Sequence, residues 1–191
     1  ISHSSKLRKR LYVLLIKNSR SRKPFEGVVN HYGFLAAYDA ATHFHNPFFF
    51  VSSSEWNLYD YIVEFSRTHG LPKGVYLLNQ LKLFSQVWKT GQNNHSTKFM
   101  RIARIIEAYP DQKFILLGDD SQEDPNIYAG VVQHFPGMVN AIYLRNVRSS
   151  SLERVKLVKE KIESAGVYCC YFKHSAEAVI HSKKIGLISQ G

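Results

Sequence analysis

Lys113-Phe114-Ile115-Leu116-Leu117-Gly118-Asp119-Asp120-Ser121-Gln122-Glu123-Asp124-Pro125 is the stretch whose reading decides the fold. Phe114 to Leu117 is a short apolar run closed by a glycine, which reads as a buried strand. Gly118-Asp119-Asp120 follows at its C-terminal end. Asp124-Pro125 then opens a helix: a carboxylate cap, followed by a proline whose fixed φ and missing N–H suit the first helical position. Strand, acidic turn and helix together make half of a crossover unit.

Working outward, the same alternation continues. The helix ends near Phe135-Pro136-Gly137, Val139 to Leu144 is a strand, Ser151 to Ala165 a charged helix and Val167 to Phe172 a last strand. A terminal helix from about Ser175 runs to His181. Upstream, Ser96 or Thr97 caps a helix reaching about Tyr109, with Met100, Ile102, Ile105 and Ile106 toward the core. Leu83 to Thr97 reads as an excursion or loop. Val75 to Leu78 is a strand, preceded by the stop Gly70-Leu71-Pro72. Trp56, Tyr59, Ile62, Val63 and Ser66 recur at helical spacing, after a strand Phe48 to Val51 that ends in Ser52-Ser53-Ser54. Gly27 to Ala37 looks helical, Ser19 to Lys23 is a basic loop, and Leu7 to Ile16 is either a basic helix or a strand. The expected fold class is α/β, a Rossmann-like parallel sheet with helices on both faces, joined by right-handed crossovers.

Composition bounds the rest. With 191 residues, 45% of them hydrophobic, the chain can bury a core, which excludes a disordered segment. Two cysteines exclude a disulfide framework. Cys169 and Cys170 are adjacent, so they are read as reduced core residues in a reducing compartment. No run approaches the roughly 20 apolar residues that span a bilayer; Leu11 to Ile16 and Pro47 to Val51 fall far short. The former follows Lys6, Arg8, Lys9 and Arg10, but Lys17, Arg20, Arg22 and Lys23 come after it with no small-residue cleavage pattern, so a signal peptide is not supported. The expectation is a soluble, cytoplasmic single domain with some peripheral contact to membranes. Its parts are a basic segment 1–23, a catalytic-type domain 24–175 and a C-terminal helix or tail 176–191.

Two strand ends carry unusual chemistry, and in a parallel sheet that is where functional loops collect. One presents Ser52-Ser53-Ser54, then Glu55-Trp56-Asn57. The other places four carboxylates in the six positions Asp119 to Asp124. Like charges this close repel unless a cation sits among them or they point apart. Mg²⁺ suits such oxygen-rich groups, binding through one or two carboxylates and keeping water and phosphate as its other ligands. A helix cap with solvated charge explains the acids equally simply, and a turn explains the serines.

Taken with Lys98, these stretches resemble the haloacid dehalogenase superfamily, and within it the phosphatidate phosphatase catalytic domain of the actin-patch-associated lipid phosphatase family. The resemblance spans roughly Lys23 to Arg145. It is carried by Lys23-Pro24-Phe25-Glu26-Gly27, by Asn46-Pro47-Phe48-Phe49-Phe50-Val51-Ser52-Ser53-Ser54-Glu55-Trp56-Asn57-Leu58-Tyr59-Asp60, by Gly70-Leu71-Pro72-Lys73-Gly74 and by the stretch 113–125. It implies phosphoryl transfer through an aspartyl-phosphate, with Mg²⁺ as cofactor and a phosphatidate-like lipid as substrate. Ser52 resembles the hydroxyl that bonds the transferring phosphoryl group, with Ser53 the alternative if the register differs by one. Lys98 resembles the lysine that neutralises phosphate charge. Ser53 and Asn57 are the substrate-binding candidates. Asp119 resembles the metal ligand, with Asp120 and Asp124 as further ligands or supporting carboxylates.

One part of the family pattern is missing. The run of aspartates that supplies nucleophile and general acid/base is not present: Asp39, Asp60, Asp111, Asp119, Asp120 and Asp124 include no Asp-x-Asp. The strand bearing that run is normally central, so its loss would leave neighbours with unpaired backbone groups. The sheet closes the gap, Leu11 to Ile16 fills it, or the chain is a fragment; the fragment is the favoured expectation.

The formal charge of +10 admits other partners. An anionic membrane surface fits it, at about 1 kcal/mol per basic residue. No nucleic-acid motif accompanies it, and Arg154, Lys156, Lys159 and Lys161 mix with Glu153, Glu160 and Glu163 as on a solvated helix face. The nine histidines show no His-x₃-His spacing, and no Cys-x₂-Cys occurs, which argues against structural zinc. No Gly-x-Ser-x-Gly elbow is present. Trp56 and Trp88 read as core or pocket wall. The alternative to an enzyme is a non-catalytic module that binds anionic phospholipid or a protein. As given, the 191 residues are expected to hydrolyse phosphate esters poorly or not at all. Turnover of a generic phosphate ester in Mg²⁺, abolished by Asp119→Ala, would contradict that.

Overall fold

Among the described residues of the computed structural model every strand pairing is parallel, in one two-stranded and one three-stranded sheet. The described residues are 23–37, 45–79, 94–121, 123–147 and 152–189. They belong to two compact units, Ile1–Gly91 and Gln92–Gly191. The segment Leu7 to Ile16, the basic runs before Lys23, the excursion around Trp88 and His43 lie outside the described residues, as does any test of a central strand there.

In the first unit, Gly27 (φ 71°) turns the chain into helix α1 (Val28–Ala36). Asn46 closes that helix, its backbone N–H donating to Ala36 O at 3.0 Å and its side chain to Leu35 O at 2.9 Å. Strand β1 (Phe48–Glu55) follows, then one turn of 3₁₀ helix and α2 (Tyr59–Thr68), and β2 (Gly74–Asn79). Gly74 is required because a Cβ there would lie 2.4 Å from Phe48 O. The serine triplet differs from expectation. It lies inside β1 instead of after it, where the register with β2 shifts between the pairs Val51–Leu77 and Glu55–Asn79. Trp56, read from the sequence as core or pocket wall, is 52% exposed and stacks on Tyr59 with ring centroids 4.7 Å apart.

The second unit runs α3 (Asn94–Ala108), β3 (Phe114–Asp119), α4 (Asp124–His134), β4 (Val139–Arg145), α5 (Leu152–Ser164), β5 (Tyr168–Phe172) and α6 (Ser175–Lys184). Strand order is β3-β4-β5. Ala141, Ile142, Tyr143 and Leu144 of the middle strand are all buried, so both sheet faces are covered, as an apolar parallel strand requires. Alternation identifies the covers. Ala141, Tyr143 and Phe172 pack with Ala178 of α6. On the opposite side, the position of a Cβ on Gly118 is occupied by Tyr128 of α4. The expected Rossmann-like arrangement, parallel strands between helices, is what this unit shows.

Helix α6 extends beyond the expected His181 to Lys184 and belongs to the core. Its first turn is closed reciprocally by His174 and Glu177, the His174 N–H donating to the glutamate at 2.7 Å. Ser182 donates to Ala178 O at 2.8 Å and sits 2.7 Å from the hydroxyl of Tyr143, giving that buried phenol a partner. Burial pushes the Tyr143 phenol up to about 12.

No helix among the described residues is long and apolar enough to cross a membrane. Cys169 and Cys170 are free thiols, the first buried and the second partly so. Burial pushes them up to about 12 and about 11, so at neutral pH both are almost entirely in the unreactive protonated form. At about pH 8 a disulfide reagent such as Ellman's should leave both untouched in the folded chain and modify both promptly in urea. Fast reaction without denaturant would contradict the packing of β5.

Candidate active site

The site is built outward from Gly118, where the C-terminal end of β3 meets the start of α4 and Lys98 comes in from α3. Because Gly118 has no side chain, α4 can approach the end of β3: a Cβ would lie 2.5 Å from Asp124 Oδ2 and 2.7 Å from the Tyr128 hydroxyl. Tyr128 uses that closeness to donate to Leu117 O at 2.7 Å. Asp124 and Tyr128, one helical turn apart, therefore stand against the strand end.

Lys98 reaches this point from α3. Its Nζ donates to Asp124 Oδ1 at 2.6 Å, with the two side chains only 17% and 10% exposed, and it lies 5.9 Å from the centre of the Tyr128 ring. The neighbouring Phe99 seats α3 on α4, its ring beside Gly130 and edge-on to His134 at 5.8 Å. An ammonium held this way has a fixed direction and little water around it, which strengthens its pull on an anion.

The carboxylates diverge. Asp119 Oδ1 accepts from the Ser121 N–H at 2.7 Å and from the Ser121 hydroxyl, forming a tight turn just past β3. Asp120 faces inward with no exposed surface. Its N–H donates to Arg145 O at 3.1 Å, its Oδ1 accepts the Val147 N–H at 2.7 Å, and its Oδ2 accepts the Tyr171 hydroxyl at 2.6 Å. Burial first, and then the bond to this carboxylate, raises the Tyr171 phenol far above its ordinary value, so Tyr171 remains a donor. Glu123 leans away to the exposed Arg154 at 3.1 Å. Like-charge repulsion in this loop is thus relieved by giving each acid its own donor.

Arg145, in register with Asp119 on the neighbouring strand, is buried. It donates to Lys173 O at 3.0 Å and to the Ser175 hydroxyl, with its guanidinium 5.0 Å over the Phe172 ring. It fastens the turn between β5 and α6 to the end of β4. Sequence reasoning passed over both Arg145 and Tyr171. The available signal was a polar residue at or near the C-terminal end of an otherwise apolar strand.

Of the residues singled out from sequence, Lys98 and Asp124 are in direct contact, and Asp119 and Asp120 lie in the adjoining turn. Ser52 is half-buried on β1 in the first unit; Ser53 and Asn57 follow on that strand and in the 3₁₀ turn, with side chains outside the described residues. Among the described residues no group of three or more His, Cys, Asp or Glu is placed to hold a metal ion. Mg²⁺ needs only one or two protein carboxylates. Asp119 fits that need, since its Oδ2 accepts no hydrogen bond among the described residues, whereas Asp120 is spent on Val147 and Tyr171.

Comparison with known proteins gives a consistent result. The family model described as "Phosphatidate phosphatase APP1, catalytic domain" matches residues 1–146. Over 100 residues the chain is 31% identical to phosphatidate phosphatase APP1 of Saccharomyces cerevisiae, covering 51% of this chain and 16% of the yeast protein. Over 126 residues it is 25% identical to an uncharacterised protein of Schizosaccharomyces pombe, covering 65% of this chain and 19% of that one. The chain therefore spans less than a fifth of the length of either relative. No solved structure matches.

Removing one member of the Lys98–Asp124 pair strands the other in a largely dry place. Lys98→Met and Asp124→Asn should each cost about 2 kcal/mol in chemical denaturation. The double variant should cost less than the two losses added together. Strict additivity would show that the pair is not coupled.

Proposed function

The chain belongs to the family of the phosphatidate phosphatase APP1 catalytic domain, and from that premise we propose that it holds the phosphate of a lipid phosphomonoester for Mg²⁺-dependent hydrolysis of the haloacid dehalogenase type. One observation carries this reading: a half-buried lysine, aimed by Asp124 at 2.6 Å, stands near the strand end whose turn presents the Asp119 carboxylate. In this reading Lys98 draws the phosphoryl oxygens and balances the negative charge that builds on them. Asp119 would hold Mg²⁺, which when bound would supply a second positive charge to the same phosphate. Asp124 fixes the direction of Lys98, and the site's partial burial keeps water from weakening that charge.

Ser52, with Ser53 as its alternative, is assigned the hydroxyl that bonds the phosphoryl group, and Asn57 a contact to the substrate. The nucleophile is assigned to none of these residues, because the 191 residues contain no Asp-x-Asp. The net charge of +10 favours approach to an anionic lipid surface.

Calorimetric titration of the chain with inorganic phosphate in Mg²⁺ tests the reading. Lys98→Ala should weaken phosphate binding by about tenfold or more, since the lost bond is charge-assisted. Asp119→Asn should remove the dependence on Mg²⁺. Equal phosphate affinity in wild type and Lys98→Ala would reject the assignment. Binding to phosphatidate vesicles that follows total vesicle charge and ignores both substitutions would instead identify an electrostatic membrane-binding module.

A further inference from the structure

Asp120 stands beside the candidate metal ligand Asp119 yet does something different. It is fully buried, whereas Asp119, Ser121 and Glu123 around it are half-buried. Both of its oxygens are engaged within the second unit, by the Val147 N–H at 2.7 Å and the Tyr171 hydroxyl at 2.6 Å, and its own N–H is tied to Arg145 O. Those partners come from three places: the exit of β4, the end of β5 and the last residue of β4. Adjacent parallel strands lie about 4.8 Å apart, so β3 and β5 are separated by roughly twice that distance. Tyr171 bridges it by reaching across the end of β4.

We infer that Asp120 and Tyr171 form a positioning pair that fixes the Asp119–Ser121 turn on the ends of β4 and β5, setting where the Asp119 carboxylate points. The pair touches neither phosphate nor metal; it acts through the turn. A one-residue step separates the two aspartates, so any swing of the Asp120 backbone carries Asp119 with it. That Asp119 receives a cation and a phosphate rests on the proposed function. That the turn is held by Tyr171 does not.

The Ser121 amide reports on the turn, because its N–H donates to Asp119 Oδ1. Tyr171→Phe removes one hydroxyl and keeps the ring. It should speed hydrogen exchange at Ser121 and Val147 by about tenfold, the loss expected for a bond to a charged acceptor, while amides of α6 stay close to wild type. Tyr143→Phe is the control: it removes another buried hydroxyl, one bonded to Ser182, and should leave Ser121 unchanged while loosening α6. Asp120→Asn should act as Tyr171→Phe does, and the two together should exceed the larger single effect by little. With inorganic phosphate in Mg²⁺ as probe, Tyr171→Phe should weaken binding by a similar factor, and Tyr143→Phe should not.

Unchanged Ser121 exchange in Tyr171→Phe overturns the inference whatever binding does. So does an equal response at Ser121 to Tyr143→Phe, since that would be general loosening. If Asp120→Asn fails to fold, Tyr171→Phe decides alone. A wild-type chain that binds neither phosphate nor Mg²⁺ rejects the proposed function, and the exchange result still decides the positioning role.

Discussion

The close approach of α4 to β3 at Gly118 is the constraint on which the rest of the site depends. No side chain larger than hydrogen fits between the strand and the Asp124–Tyr128 turn. With the gap closed, Tyr128 can satisfy the Leu117 carbonyl and Asp124 can stand where a lysine from α3 reaches it. Burial of that ion pair is costly unless both partners are present and well aimed. An oriented ammonium at a strand end is suited to an anion.

A second layer supports the first. Asp120 and Arg145 are opposite charges, both buried, at the ends of neighbouring strands. Asp120 gathers Val147 and Tyr171, and Arg145 gathers Lys173 and Ser175. Each spends its charge on hydrogen bonds that tie loops to strand ends, which satisfies groups that burial would otherwise penalise. The rim of the sheet is stiffened by polar bonds where the middle is stiffened by apolar packing.

How far the sequence could be read follows from the kind of signal involved. The strand at Phe114 and the helix opening at Asp124-Pro125 were legible because apolar runs and caps are local. The both-faces-covered character of β4 was legible from Val139 to Leu144, which carries no polar alternation on its buried stretch. The fate of the acids was not. Four carboxylates in six positions admit a cation or divergence, and only the placement of Lys98, Tyr171, Val147 and Arg154 shows that they diverge. Those partners lie between 26 and 51 residues from their acids. The serine triplet was misplaced because a shift in strand register has no compositional mark. Tyr171 looked like one more apolar strand residue, its hydroxyl hidden by its ring.

The lodging of α6 in the sheet has a consequence for synthesis. Tyr143 cannot gain its Ser182 partner, nor Ala141 and Phe172 their Ala178 cover, until residues well past 180 have left the ribosome. Chains emerge at about 5–20 residues per second and domains generally fold as units. The second unit therefore cannot complete its core during translation until that last helix is out. Until then the face of the sheet that Ala178 covers, at Ala141, Tyr143 and Phe172, stays open.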